Sequence, residues 1–297
     1  MAAKVRLSER PDFERCLTGG LVRGTMSIRA DPGTQPRPLM PRLSRITIYP
    51  LKSFDGLVVE EARVLSNGAL QHDRQFALVD PSGMFINAKQ AATVHGLQLQ
   101  LDPVGRSLTA RRRSHTETVC WNIDSQCSAL ERWLSNYFEL EVRLIEEPNG
   151  GFPDDTEATG PTILSAATWS AIAEWFPGLT VENVRDRFRA NLEVEDAAPF
   201  WEDHLFQTDA TPLPFCIGSV LFSGTNPCQR CIVPTRDPAT GEVWSGFAHQ
   251  FATMRAEQLP TWAARERFNH FYRLTTNTRL IERRDGTLRV GDDVRLV

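Results

Sequence analysis

From Asn226 to Pro238 the chain reads Asn-Pro-Cys-Gln-Arg-Cys-Ile-Val-Pro-Thr-Arg-Asp-Pro, which sets the thiols of Cys228 and Cys231 on either side of Arg230. A neighbouring cation or a metal favours the thiolate, and the thiolate is the form that attacks electrophiles or binds soft metals. Asn-Pro in front and Asp-Pro behind restrict the backbone, so the sequence predicts a shaped loop. Such a loop can carry a metal-cofactor ligand, half of a zinc site, a redox pair or inert sulfur. Zinc needs four ligands, and Cys120 and Cys127 supply no second C-x-x-C. A thioredoxin-like pair wants its first Cys at a helix N-terminus in a βαβ unit, whereas the surroundings here read as strand and loop.

The elements that must position these thiols are mostly short strands. Residues 44–49 alternate polar and apolar, and 58–65 read as a second strand with a bulge. Residues 76–80 lead through Pro81-Ser82-Gly83 into 84–87 as a hairpin. Residues 97–101 and 116–121 continue the series, and 128–138 have helical apolar spacing, with Trp133, Leu134, Tyr137 and Phe138 as the packing face. The turn-rich stretch 147–155 marks a domain boundary. Beyond it Ser165 is placed to N-cap a helix ended by Pro177-Gly178, and strands recur at 191–194, 217–222 and 288–297. The expected organisation is a mainly β fold with some helices: an N-terminal β-barrel-like domain over 42–150 and a second β-barrel domain over 151–297. Residues 1–41 are Arg-rich and punctuated by Gly and Pro, and read as a disordered extension or one ahead of a true start at Met40.

Of the 297 residues 41% are hydrophobic, which excludes a mostly disordered chain, and the net charge of -4 gives no footprint for nucleic acid. No apolar run is long enough for a membrane span. Six cysteines are too few for a disulfide scaffold, and with no secretory h-region in 1–41 the expected compartment is the cytoplasm.

Tyr49-Pro50-Leu51-Lys52-Ser53, Asp73-Arg74-Gln75-Phe76 and Ala88-Lys89-Gln90 resemble the N-terminal domain that precedes a MOSC domain. Arg187-Phe188-Arg189-Ala190-Asn191-Leu192, Glu202-Asp203, Cys228-Gln229-Arg230-Cys231, Asp237-Pro238-Ala239-Thr240-Gly241-Glu242 and Val290-Gly291-Asp292 resemble the MOSC domain itself, in family order. The resemblance implies a molybdenum cofactor (molybdopterin), with the Cys231 thiolate as catalytic ligand on molybdenum and Cys228 as the fallback. It also implies that Lys52, Ser53, Arg74 and Arg189 meet the phosphate of the pterin, with Asn191, Cys228 and Arg230 completing the cofactor-binding set. An Arg fork and a Lys ammonium suit phosphate oxygens. Two departures stand out: Lys89 where the family's reductases carry Arg, and Ala190 where Pro is usual. Glu202-Asp203 is expected to orient neighbouring loops.

The implied activity is molybdenum-dependent reduction of N-hydroxylated small molecules. Electrons would come from an external partner (a flavoprotein, ferredoxin or cytochrome), because no ferredoxin domain follows Val297. The alternative is a carrier that delivers the cofactor or sulfur without turnover. A complete sulfurase is not expected, since the pyridoxal-phosphate domain of that family is missing.

Overall fold

The structure, a computed structural model, describes residues 40–209, 211, 213–282 and 286–297. The expected extension therefore lies outside the described residues, apart from Met40 and Pro41. In chain order the elements are β1 (Arg42–Ile48), β2 (Leu57–Val59), β3 (Glu61–Val64), β4 (Phe76–Val79), β5 (Leu97–Asp102), β6 (Ser107–Arg112) and β7 (Thr118–Asn122). Then come α1 (Cys127–Phe138), β8 (Arg143–Glu146), β9 (Ile163–Ser165), α2 (Ala166–Trp175), α3 (Val181–Phe188) and β10 (Leu192–Glu195). The rest are β11 (Leu213–Ile217), β12 (Val220–Gln229), α4 (Phe247–Glu257), β13 (Arg273–Leu280), β14 (Gly286–Arg289) and β15 (Val294–Leu296). The fold is mainly β, as expected.

Eight strands form one sheet in the order β15-β11-β12-β13-β9-β10-β1-β2. It closes on itself, because Arg42 bridges Asp293 and the Leu43 N–H donates to the Asp292 carbonyl at 2.8 Å. Closure removes the edge between β1 and β15. Leu43, Ile46 and Ile48 of β1 all point into the barrel although their spacing is not strictly two. A register shift between Leu43 and Arg45 against β10 absorbs the extra residue. Facing them are Val194, Phe215, Phe222 and Leu288, which seal one core. A second core lies between β4–β8, the β5-β6-β7 sheet and α1, built on Leu51, Phe76, Leu99, Leu108, Leu130 and Leu134. A third is aromatic, where Trp169, Phe176, Phe188, Phe247 and Phe251 join α2, α3 and α4. Burying one such Phe or Leu contributes on the order of 2 kcal/mol.

Several local expectations are revised. Residues 58–65 form two strands, not one: β2 pairs with β1, and after Glu60 the chain leaves that sheet so that β3 pairs with β14. The hairpin partner of β4 is reduced to a single bridge, Val79 with Phe85, and its full ladder goes to β8. Residues 288–297 are split into β14 and β15 at Gly291, whose φ of 94 makes the turn. Ser165 does cap α2, accepting from the Ala167 N–H at 3.2 Å. Helix α3 was not anticipated, although Thr180 and Asn183 form a capping box around its first turn.

Glu202 and Asp203 are buried in a turn that ties three segments together. Glu202 Oε2 accepts from the Ser165 N–H and the Thr168 hydroxyl, both at 3.1 Å, and the Thr276 hydroxyl donates to the Glu202 carbonyl at 2.7 Å. Asp203 pairs with Arg255 of α4 at 2.5 Å. Burial first, and then the Asp203 charge, push the Glu202 carboxyl up to about 8. A carboxyl raised in this way is most favourable to the fold below its unfolded value, and that contribution is lost as pH rises through the folded value. Thermal stability is therefore expected to fall as pH rises from 6 through 8. Glu202→Gln, which mimics the neutral acid, should flatten that slope in melting curves recorded across the range.

Candidate active-site cleft

A cleft of about 910 Å³ runs between the β1–β4 loops and the β10–β12 side of the barrel. All eight candidate residues line it: Lys52, Ser53, Arg74, Arg189, Asn191, Cys228, Arg230 and Cys231.

Cys228 is the penultimate residue of strand β12 rather than part of a free loop, and Cys231 follows just after the strand ends. The Pro-bounded sequence suggested a loop, but Asn226 and Pro227 pair with Asn277 and Thr276 of β13. The ladder is irregular here. Between the pairs Pro227–Thr276 and Gln229–Arg273, Cys228 alone faces both Leu274 and Thr275. Thr275 is the bulge residue, at φ 66, a conformation that a β-branched side chain resists. The bulge re-aims the strand end toward the cleft. Arg230 Nη1 stands 3.3 Å from Cys228 Sγ, while its other arm donates to the Phe188 carbonyl at the end of α3. The guanidinium thus serves Cys228, and Cys231 is the exposed sulfur.

The cationic wall is organised by Tyr49. Its backbone N–H donates to Asp73 at 2.8 Å, and the Arg74 N–H donates to its carbonyl at 2.8 Å. The phenol donates to the Ala190 carbonyl at 3.2 Å. The Arg189 guanidinium sits 4.1 Å and that of Arg74 5.5 Å from the Tyr49 ring centroid, within cation–π range. Burial, against the pull of these two cations, pushes the phenol up to about 12, so Tyr49 stays a neutral donor. Asn191 ties the same region to β1, donating through its side chain to the Thr47 carbonyl at 3.1 Å. The stretch 147–155, read from sequence as a boundary, forms a third wall: Lys52 Nζ donates to the Phe152 carbonyl at 2.8 Å and to Asp154 at 2.7 Å. A Cβ on Gly151 would meet the Asp73 carbonyl oxygen at 2.6 Å, so only glycine allows this wall to close.

Ser53, Arg74 and Arg189 all have positive φ, at 74, 53 and 54. Non-glycine residues take this conformation at a cost, and such strain collects at binding sites. At Arg189 the cause is visible. It is the left-handed cap that ends α3 and turns the chain into β10.

Eleven Lys and Arg line the cleft against eight Asp and Glu. Seven of those carboxyls are engaged: Arg113 holds Asp55, Arg74 holds Asp73, Lys52 holds Asp154 and Asn277 donates to Asp155. Arg185 bridges Glu182 and Glu193, and Asp237 accepts from the Ala239 and Thr240 N–H groups. Among the described residues Asp186 accepts no hydrogen bond and forms no ion pair. Donor and acceptor capacity on the walls also remains unspent, at buried Arg230 Nε, Arg236 Nε and Asn226 Oδ1. Loose thiols, excess cations and unpartnered polar atoms in one cleft fit a large, anionic, sulfur-seeking metal cofactor. Among the described residues no three His, Cys, Asp or Glu side chains are grouped to hold a metal by themselves.

Residues 40–141 match the profile of the MOSC N-terminal beta barrel domain, and residues 162–295 match that of the MOSC domain. The chain is a MOSC-domain protein. Among similar proteins, the molybdenum cofactor sulfurase of Drosophila mojavensis is 27% identical over 232 residues, covering 69% of this chain and 29% of the relative. Molybdenum cofactor sulfurase 2 of Culex quinquefasciatus is 22% identical over 241 residues, 68% of this chain and 31% of the relative. The MOSC protein thus spans less than a third of the length of the curated relatives it matches. A solved structure, YiiM from Geobacillus stearothermophilus, aligns at 11% identity over 46% of this chain and 54% of that one, with a TM-score of 0.28. That likeness is too slight to inform the fold. Among the described residues no helix is long and apolar enough to cross a membrane.

The sequence reading of this MOSC protein passed over Tyr49 and Asp186 as site residues. Tyr49 had a signal, an aromatic directly ahead of the Lys52-Ser53 pair. Asp186 had none, because its helix was not foreseen. The backbone geometry at Arg189 gives a test that separates strain from charge. Arg189→Gly should be more stable than Arg189→Ala by about 1 kcal/mol in thermal or urea unfolding, since only glycine accepts the left-handed cap freely.

Proposed function

We propose that this MOSC protein binds molybdopterin in the cleft and uses it to reduce N-hydroxylated small molecules, with electrons from an external donor protein. The observation that carries the reading is the convergence on one cleft of two thiols and four phosphate-suited residues from distant parts of the chain. Cys231, the exposed sulfur, is the molybdenum ligand, and Cys228 is held back by Arg230. Lys52, Ser53, Arg74 and Arg189 receive the phosphate of the pterin, with Lys89 adding charge from 3.8 Å beyond Asp154. When bound, the cofactor supplies the oxygen-atom and electron chemistry. The protein orients it, neutralises its tail and shapes the space for substrate.

A carrier or sulfur-delivery role is the second reading. It is favoured by the similarity to molybdenum cofactor sulfurases and by the exposure of Cys231, which suits handover to another protein. Metal content comes first in testing both. Protein from a cofactor-competent host is expected to hold about one molybdenum and one pterin per chain. Cys231→Ala should lose most of the metal, and Cys228→Ala should retain it. Loaded protein that reduces N-hydroxylated substrates with a chemical reductant supports the enzyme. Loaded protein that only passes its cofactor to an apo-acceptor supports the carrier, and metal-free wild type removes both.

A further inference from the structure

We propose that Asp186 is the proton donor for the reductive step, an inference that rests on the reductase reading above. Cleaving an N–O bond in a compound R–NH–OH to give R–NH₂ and water takes two electrons and two protons. The external electron-donor protein supplies the electrons. One proton must reach the departing oxygen, since hydroxide leaves poorly, and the other goes to nitrogen from solvent. Asp186 would give its proton to that oxygen as the N–O bond breaks, and the carboxylate is then reprotonated from solvent.

The selection comes from what the other acids are doing. Each of the seven other carboxyls that line the cleft is committed to a cation or to N–H donors of the protein. Among the described carboxyls of the cleft, Asp186 is the one left without a partner, and so is open to hold a proton and pass it on. Its place on the fold favours the protonated form. It lies in the last turn of α3, where the helix dipole is unfavourable to an anion. It lines the cleft from an exposed position, on the helix whose end touches the cysteine segment through the Arg230 bond to Phe188. The titratable and charged groups facing it are Tyr49 and Asp55 from the loop after β1, Arg113 just past β6, and Glu182 and Arg189 from its own helix and cap. Burial first, then Asp55, raise its carboxyl, with Arg189 and Arg113 opposing. A general acid set above the usual carboxylate range stays loaded nearer neutral pH.

The test compares wild type, Asp186→Asn and Asp186→Glu as molybdenum-loaded protein, measuring metal content, kcat/KM for an N-hydroxylated substrate across pH, and thermal stability across pH. Asp186→Asn should keep its molybdenum and lose about 100-fold in kcat/KM. It should also lack the alkaline limb along which the wild-type rate falls as the acid ionises, and Asp186→Glu should restore part of both. Independently of activity, a raised carboxyl contributes stability that is lost as pH rises through its folded value, so this part of the wild-type decline should vanish in Asp186→Asn. An Asn variant with the wild-type rate and pH profile overturns the proposal. So does one that loses molybdenum in step with activity, since Asp186 then serves the fold or the cofactor. Loaded wild type that reduces nothing overturns the reductase reading, and this inference with it.

Discussion

The antiparallel pairing of β1 with β10 is the constraint on which the cleft depends. Ile46 opposite Leu192 and Leu43 opposite Val194 set the register, and beyond the last pair the Thr47 N–H still donates to the Asn191 carbonyl at 2.7 Å. Because the two strands leave this ladder together, Tyr49 emerges beside Ala190 and Arg189. One side chain can then order cations that stand far apart in sequence. A slip of one residue would turn Leu43 and Ile46 out of the barrel and carry Tyr49 away from Ala190. The large apolar core therefore holds the register against a site that is costly by itself.

That cost has two parts. Arg74 and Arg189 are half-buried near one another, and each opposes the charge of the other. Three residues of the same wall also hold left-handed backbone, at on the order of 1 kcal/mol each. Neither would persist on a free loop. The Tyr49 ring, the carbonyls of Phe54 and Phe152, and the close approach allowed by Gly151 hold the cations in place before any anion arrives. Binding then meets a wall that is already formed and repelling itself, which an anion relieves.

Most strands were legible because alternation at 44–49 and 97–101 follows from one buried face. Pairing was not. Residues 84–87 looked like the hairpin partner of β4, but β8 competes for that edge with a full ladder, and local sequence carries no trace of so distant a partner. The break at Glu60 was hidden for the same reason, since only the tertiary partners of β2 and β3 differ. In the cleft, residue types and order pointed to Lys52, Arg74, Arg189 and the cysteine pair. The sequence could not tell that Arg230 would lean on Cys228, because that depends on a bulge in β13 at Thr275. It also offered no way to see that Asp186 would be left without a partner.

The closure of the barrel by β1 also has a consequence in time. During synthesis Leu43 and Ile46 leave the ribosome long before Val194 and Leu192, and longer still before Asp292 and Asp293 close the far side. At roughly ten residues per second, β1 waits on the order of ten seconds for the strand that covers one of its edges. Until then an apolar, bulged strand is without its main partner. The β4-to-β8 region, whose second core is complete by Glu146, can meanwhile fold around α1. Among the described strands the barrel is thus begun by β1 and finished by β15, whereas the cleft, whose walls run from Arg45 to Asn277, has all its residues once β13 is made.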